Sequence, residues 1–348
     1  MKKIFLSVLA VAALASCTKM DTAYEAPQEI GFTAVAGNIT KAPVDGETYP
    51  EDLNMFIFAQ TAEITDGSSN YINNGEFKYK KVNGSIKLWG GYPNPYYWPN
   101  VHKLNFAGYS KSGNVATDAT GATVSYSFAD DSGLSITGYT PSGSDNDLMW
   151  FGNTKKTTNG ASGYGKETPY VPVEMYHTCS WITFRIKGEA GTINSTIQYM
   201  KITGIDNYAN VLCYNVPQSG KSIVWSKNED GKTSENIISL TSNLTLSETA
   251  INVETGKSTD VGGNIVLIPQ LPGNISITYQ GTNASVAPET VSASLSLDFD
   301  ESGKQLAATT AWEPGKHYIY TITIKANEIL VSPTPVDWGD VNSGVTVE

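Results

Sequence analysis

The chain has 348 residues, a formal net charge of −11 and only 16% charged residues, a length that suits two domains of about 100–200 residues each. Its acidity argues against nucleic acid, and against anionic lipid as a partner of the protein body. Arg185 is the only arginine, so a single side chain is available for bidentate recognition of phosphate or carboxylate.

In chain order, Lys2 and Lys3 precede the apolar run Ile4 to Leu14, and Leu14-Ala15-Ser16-Cys17 closes it. About 11 apolar residues fall short of the ~20 that a helix needs to cross a bilayer, so residues 1–16 read as a cleaved signal. Leu-Ala-Ser-Cys resembles a bacterial lipobox, in which Cys17 becomes the lipidated N-terminus. The alternative is an ordinary secretory signal beside a cysteine. Removing two lysines takes the formal charge to 21 − 34 = −13. Residues 18–29 are polar, contain Pro27 and read as a tether.

From there the chain reads as strand after strand. Ile30 to Val35 alternates with the period of a half-buried strand, and Gly37-Asn38 ends it. Leu53 to Phe58 is apolar enough for a central strand, and Gly67 to Asn70 signals a turn. Phe77 to Val82 and Ser85 to Trp89 flank Asn83-Gly84, the strongest hairpin signal in the chain. Leu104 to Tyr109, Val124 to Phe128 and Leu148 to Phe151 complete this half.

Residues 152–169 are rich in Gly, Lys and Thr and lack periodicity, which places the expected domain junction there. The expected segments are 17–41, 42–165 and 166–348. Beyond the junction, Trp181 to Lys187 alternates with Ile182, Phe184 and Ile186 on one face. Ile197 to Ile202, Val211 to Asn215, Ile237 to Leu240, Ile265 to Ile268, Ile275 to Tyr279, Val291 to Phe299 and His317 to Ile324 follow. No window of 12 or more residues holds a 3.6-residue pattern. Short strands with frequent turn signals give an all-β fold of sandwich or barrel type.

Catalytic signals are sparse. His102, His177 and His317 fit no zinc-ligand spacing, so no metal is expected. Asp298, Asp300 and Ser302 imitate a calcium loop, but Thr309 stands where a bidentate Glu is needed, which favours a strand-end turn. His177 and Ser180 lie three apart in strand-like sequence and point to opposite faces, so structural roles are expected. Cys179 and Cys213 fit either a disulfide or two buried thiols. Tyr92, Tyr96, Tyr97 and Trp98 fit either a sugar-stacking platform or a loop with buried rings, and the second is favoured.

A resemblance runs through the same residues. Tyr97-Trp98-Pro99 and Lys103 to Tyr109, then Asp147 to Trp150, then Val173 to Phe184, then Trp312 to Tyr320 resemble, in order, segments of the fimbrillin-like family of type V pilus subunits. Val266 to Pro269, Asn327-Glu328-Ile329 and Val336-Asp337-Trp338 continue the match. The resemblance implies two transthyretin-like β-sandwich domains in tandem, no enzymatic activity and no cofactor. It also implies lipoprotein export to the outer membrane and assembly with other pilin subunits into a surface fimbria that supports adhesion to host or bacterial ligands. In such subunits proteolysis after Arg or Lys releases an N-terminal strand, and a neighbour's C-terminal segment fills the gap. Ile30 to Val35 corresponds to the removable strand and Lys41 to the cut, although Lys41 replaces the commoner Arg and Pro43 follows closely. The tail from Lys325 to Glu348, with Trp338, Val341, Val345 and Val347, corresponds to the donor, and Pro333 and Pro335 suit a central strand poorly. In a monomer this tail is expected to close on its own second domain. The alternative function is a surface lipoprotein that binds glycans without catalysis.

Overall fold

All regular structure among the described residues is β-strand. The computed structural model describes residues between 27 and 337, in segments interrupted chiefly at 37–50, 62–69, 112–122, 142–147 and 254–264. The N-terminal half supplies β1 (Gly31–Ala36), β2 (Met55–Thr61), β3 (Asn70–Lys81), β4 (Lys87–Gly91), β5 (Leu104–Lys111), β6 (Thr123–Tyr126), β7 (Leu134–Tyr139) and β8 (Leu148–Phe151). Two short pieces, β9 (Lys156–Thr157) and β10 (Gly160–Ala161), precede β11 (Val171–His177) and β12 (Ser180–Gly188). Then come β13 (Thr196–Asp206), β14 (Ala209–Val216), β15 (Gly220–Lys227), β16 (Thr233–Ile238), β17 (Leu244–Thr245) and β18 (Ile251–Val253). The last are β19 (Ile265–Leu267), β20 (Asn274–Gln280), β21 (Glu289–Ser294), β22 (Lys316–Ile324) and β23 (Ile329–Asp337).

Apart from the small β9–β10 pair, the described strands form three bodies. The first is a closed barrel of order β1-β11-β8-β5-β2-β3-β4. Alternation puts Ile30, Phe32, Met55, Ile57, Phe77, Trp89, Phe106 and Phe151 in its interior, and Trp89 Nε1 donates to Leu53 O at 2.8 Å. The second is a sandwich. One sheet runs β18-β12-β22-β23 with β19 on β12, and the other runs β16-β13-β20-β21 with β17 on β13. Ile182, Phe184, Ile186, Ile277, Tyr320 and Ile322 fill the space between them. The third is a four-stranded sheet, β15-β14-β7-β6.

This arrangement does not divide at the expected 165/166 boundary. β11 lies beyond that point yet closes the barrel between β1 and β8. The four-stranded sheet takes one hairpin from each half, joined through β7 and β14 with Cys213 opposite Leu134 and Val211 opposite Ile136. Its inner side packs with Phe58, Tyr109, Leu148 and Trp150 of the barrel strands. Strand periodicity reports which face a residue takes but not which sheet its strand joins, since pairing is non-local.

Two further expectations change in detail. Asn70, placed in a turn by sequence, begins the long strand β3. The prolines of the tail do not interrupt β23, which pairs with β22 from Ile329 to Asp337. β23 ends its sheet. Pro333 and Pro335 are two residues apart, so their missing N–H groups face the same side, and an edge strand has one side with no partner to bond. As expected for a monomer, this part of the tail closes on its own sandwich.

His317 is fully buried on β22, its ring stacked on Trp181 at 3.5 Å between centroids. Its Nε2 lies 2.7 Å from Thr183 Oγ1, while Nδ1 has no hydrogen-bond partner among the described residues. Burial, and then the charge of Arg185, push its pKa down to about 3 from 6.5. The neutral ring is therefore the native form. It contributes its full stability above pH 6.5 and loses it as pH falls from 6.5 towards 3. At ~1.4 kcal/mol per unit, the loss across that window is roughly 5 kcal/mol. Urea denaturation at stepped pH should show this decline, and His317→Gln should flatten it while lowering stability at neutral pH.

Candidate functional site

The strand GFTAVA is the first among the described residues, yet it is hydrogen-bonded on both sides within the barrel. β1 pairs parallel with β11, Phe32 opposite Val171 through Ala36 opposite Met175. On its other side it pairs antiparallel with β4, Gly31 opposite Gly90 and Phe32 opposite Trp89. Phe32 stands edge-on to Phe77 and to Phe106, each at 5.1 Å between centroids, and tilted to Phe151 at 6.3 Å. Ile30 and Phe32 are wholly buried and Ala34 packs against the same core. Gly31 allows β1 to sit close, since a Cβ there would lie 2.7 Å from Leu88 Cδ1.

A loop clamps the entry to β1. Ile30 N donates to Tyr96 O at 2.8 Å, and Trp98 N donates to Gln28 O at 2.9 Å. Glu29 bridges Tyr97 between them and pairs with Lys80 of β3. The loop is held in turn by its own rings. Tyr96 stacks on Phe77 at 5.5 Å, and Trp98 meets Phe106 edge-on at 5.7 Å. Gly75 leaves room for Tyr96, whose Oη would lie 2.8 Å from a Cβ there. Tyr71 Oη donates to Tyr97 O at 2.6 Å. The aromatic run is thus structural at Tyr96 and Trp98, as expected. Tyr92 and Tyr97 differ, at 48% and 42% exposed, and the Lys78 ammonium covers one face of Tyr92 at 3.7 Å.

The remaining candidates are absorbed by local structure. Asp298 accepts the hydroxyl of Thr310 at 2.5 Å and the backbone N–H groups of Thr309 and Thr310. These bonds, the Thr310 hydroxyl first, hold its carboxyl well below the usual range. Thr309, in the position where a calcium loop needs Glu, caps this carboxylate instead. Among the described residues no cluster of His, Cys, Asp and Glu suits a metal. Ser180 Oγ donates to Glu313 O at 2.8 Å, a structural bond. Cys179 and Cys213 lie in one buried cluster and are not joined by a disulfide. Burial, and then the charge of Cys179, push the Cys213 thiol well up. Trp312, from the Trp-x-Pro-Gly stretch, donates to Tyr320 Oη at 2.7 Å, and Tyr320 donates to Leu295 O at 2.8 Å.

Cys17, Lys41, Trp338, Val341, Val345 and Val347 lie outside the described residues. Sequence reasoning found β1 itself but missed Gln28, Glu29 and Lys80. A pair 51 positions apart leaves no signal in local pattern.

The fimbrillin-like family model matches residues 40–338. The chain belongs to the fimbrillin-like family. No curated protein matches it. A fimbrial protein of known structure from Bacteroides vulgatus superposes with a TM-score of 0.50 at 16% identity, covering 88% of this chain and 99% of its own. A proposed cell adhesion protein from Bacteroides uniformis gives 0.48 at 17% identity, covering 89% and 98%. At such identities the first likeness speaks for the fold alone. This fimbrillin-like chain is all-β, as its sequence leads one to expect.

Phe32→Ala should remove the largest side chain of β1 from the middle of the phenylalanine cluster, at a cost of about 3–5 kcal/mol. Urea denaturation should register that loss. Hydrogen exchange in the native state should rise first at residues 31–36 and at their partners on β4 and β11.

Proposed function

We propose that this fimbrillin-like protein is a structural, non-catalytic subunit of a cell-surface fimbria that supports adhesion. It is exported as a lipoprotein through Cys17, reaches the outer membrane, and is joined to other pilin subunits by strand exchange. The observation that carries this reading is the placement of β1 between β4 and β11. β1 precedes every other described strand, so a cut after it leaves the rest of the chain continuous. Its departure would bare backbone N–H and C=O groups on both sides of an apolar slot, and an extended segment from another subunit satisfies both. Cleavage after Lys41 frees that strand, and the tail beyond β23 supplies its replacement.

Membrane fractionation and intact-cell mass spectrometry of the mature N-terminus test the export and cleavage steps. Cys17→Ser should release the protein from the membrane fraction or leave an uncleaved precursor, and normal cleavage with retained membrane binding would refute lipidation. Assembly is tested on SDS gels of unheated cell extracts. The intact protein should give a heat-sensitive ladder of oligomers, and deletion of Asp340 to Glu348 should leave a folded, exported monomer with no ladder.

A further inference from the structure

The chain's one arginine differs from the lysines that form ion pairs. Lys80, Lys87 and Lys325 each meet a glutamate, at Glu29, Glu51 and Glu189. Arg185 takes part in none of the ion pairs among the described residues, although the chain holds 34 acidic side chains. It is half-buried on β12, and its Nε is shut off from solvent with no hydrogen-bond partner among the described residues. Its charge is felt by His317, whose neutral ring offers no compensation. A guanidinium partly withdrawn from water and left unpaired costs free energy, and an anion from outside the chain removes that cost.

The surroundings define which anion fits. Arg185 lies opposite Thr321 of β22, and Thr321 lies opposite Ser332 of β23. All three alternate with core residues, namely Phe184 and Ile186, Tyr320 and Ile322, and Val331. They therefore share the outer face of the sheet, in one row across three strands. Adjacent strands lie ~4.8 Å apart, so the row spans about 10 Å. Arg185 and Thr321 are half-buried and Ser332 is exposed, so the row opens towards the sheet edge. Leu330, 44% exposed, stands two residues before Ser332 on the same face. The arginine fork takes a carboxylate side-on, and Lys187, two residues further on that face, adds positive potential. Two hydroxyls and an exposed leucine beyond the fork suit the hydroxyl groups and the C–H face of a sugar ring. A polyanion is disfavoured by the net charge of −11.

Resting on the adhesion part of the proposed function, we infer that the outer face of β12, β22 and β23 binds the carboxylate of an acidic sugar. Arg185 holds the carboxylate, and Thr321 and Ser332 bond hydroxyl groups of the ring. The unpaired arginine sets the specificity, because an amide or ester in place of the carboxylate leaves the guanidinium uncompensated.

The experiment is calorimetric titration of the full-length protein with sodium glucuronate and sodium N-acetylneuraminate. Glucuronamide, the methyl ester of N-acetylneuraminic acid and acetate serve as controls. At least one acidic sugar should bind, the tighter of the two identifying the source of the carboxylate, and all three controls should bind more weakly. Arg185→Gln should weaken that sugar about 10–100-fold, and Arg185→Lys, which keeps the charge without the fork, by less. Ser332→Ala, at an exposed position, should weaken it about 2–10-fold, which keeps the test decisive should Arg185→Gln fail to fold. Equal binding of the uncharged analogues, unchanged affinity in Arg185→Gln or in Ser332→Ala, or no binding of either acidic sugar would overturn the site. Acetate binding as tightly as the acidic sugar would overturn the part played by the ring. Assembly is read separately by the heat-sensitive ladder, so its failure and the failure of this site are distinguishable.

Discussion

A barrel of this kind closes only if its first strand is hydrogen-bonded on both sides, and everything around β1 serves that requirement. The ladders to β4 and β11 satisfy its backbone groups, and Phe32 brings an aromatic edge to each of two facing rings. The loop at residues 92–98 is itself anchored by stacking, and it extends the pairing three residues before the strand begins. The contrast with β23 is instructive. β23 sits on a sheet edge with two prolines, a composition that discourages a further strand from adding outside it. The sheet edge is made unattractive, whereas the place of β1 is closed by pairing on both sides.

Much of this could be read from the residues. Period-2 alternation located β1 and its inward Ile30 and Phe32, and the two strands that flank Asn83-Gly84 do pair, as β3 and β4. Other features were illegible for a physical reason. The parallel pairing of β1 with β11 joins residues about 140 positions apart in the sequence, and nothing in local composition encodes so distant a partner. β7 was missed because LSITGY carries a Gly at a left-handed position, Gly138 with φ of 79°. The tail closes on its own sandwich at a sheet edge, and what the sequence did not show is that one unbroken strand runs through both prolines.

The sequence also offered several imitations of functional sites. Asp298 mimics a cation ligand and is consumed by its own turn. Ser180 and His177 mimic a catalytic pair, yet the serine proton goes to a backbone carbonyl. His317 pairs with Thr183 against Trp181 in a fully buried position. Polar groups buried in a β-protein need partners, and short-range spacing alone does not distinguish a group satisfied in this way from one held ready for chemistry.

The junction between barrel and sandwich has a mechanical meaning. The chain crosses from β11 to β12 through Thr178 and Cys179, and both are tethered to neighbours. Thr178 donates from N and Oγ1 to Leu148 O, Trp225 Nε1 donates to Thr178 O at 2.7 Å, and Gly315 N donates to Cys179 O at 2.8 Å. A second connection runs beside it, through the backbone ladder of β7 and β14. Two struts fixed at separate points resist torsion that a single connector would allow. Twisting one body against the other would require shearing several backbone hydrogen bonds together, so bending of a filament built from such molecules would concentrate at the joints between copies and not within them.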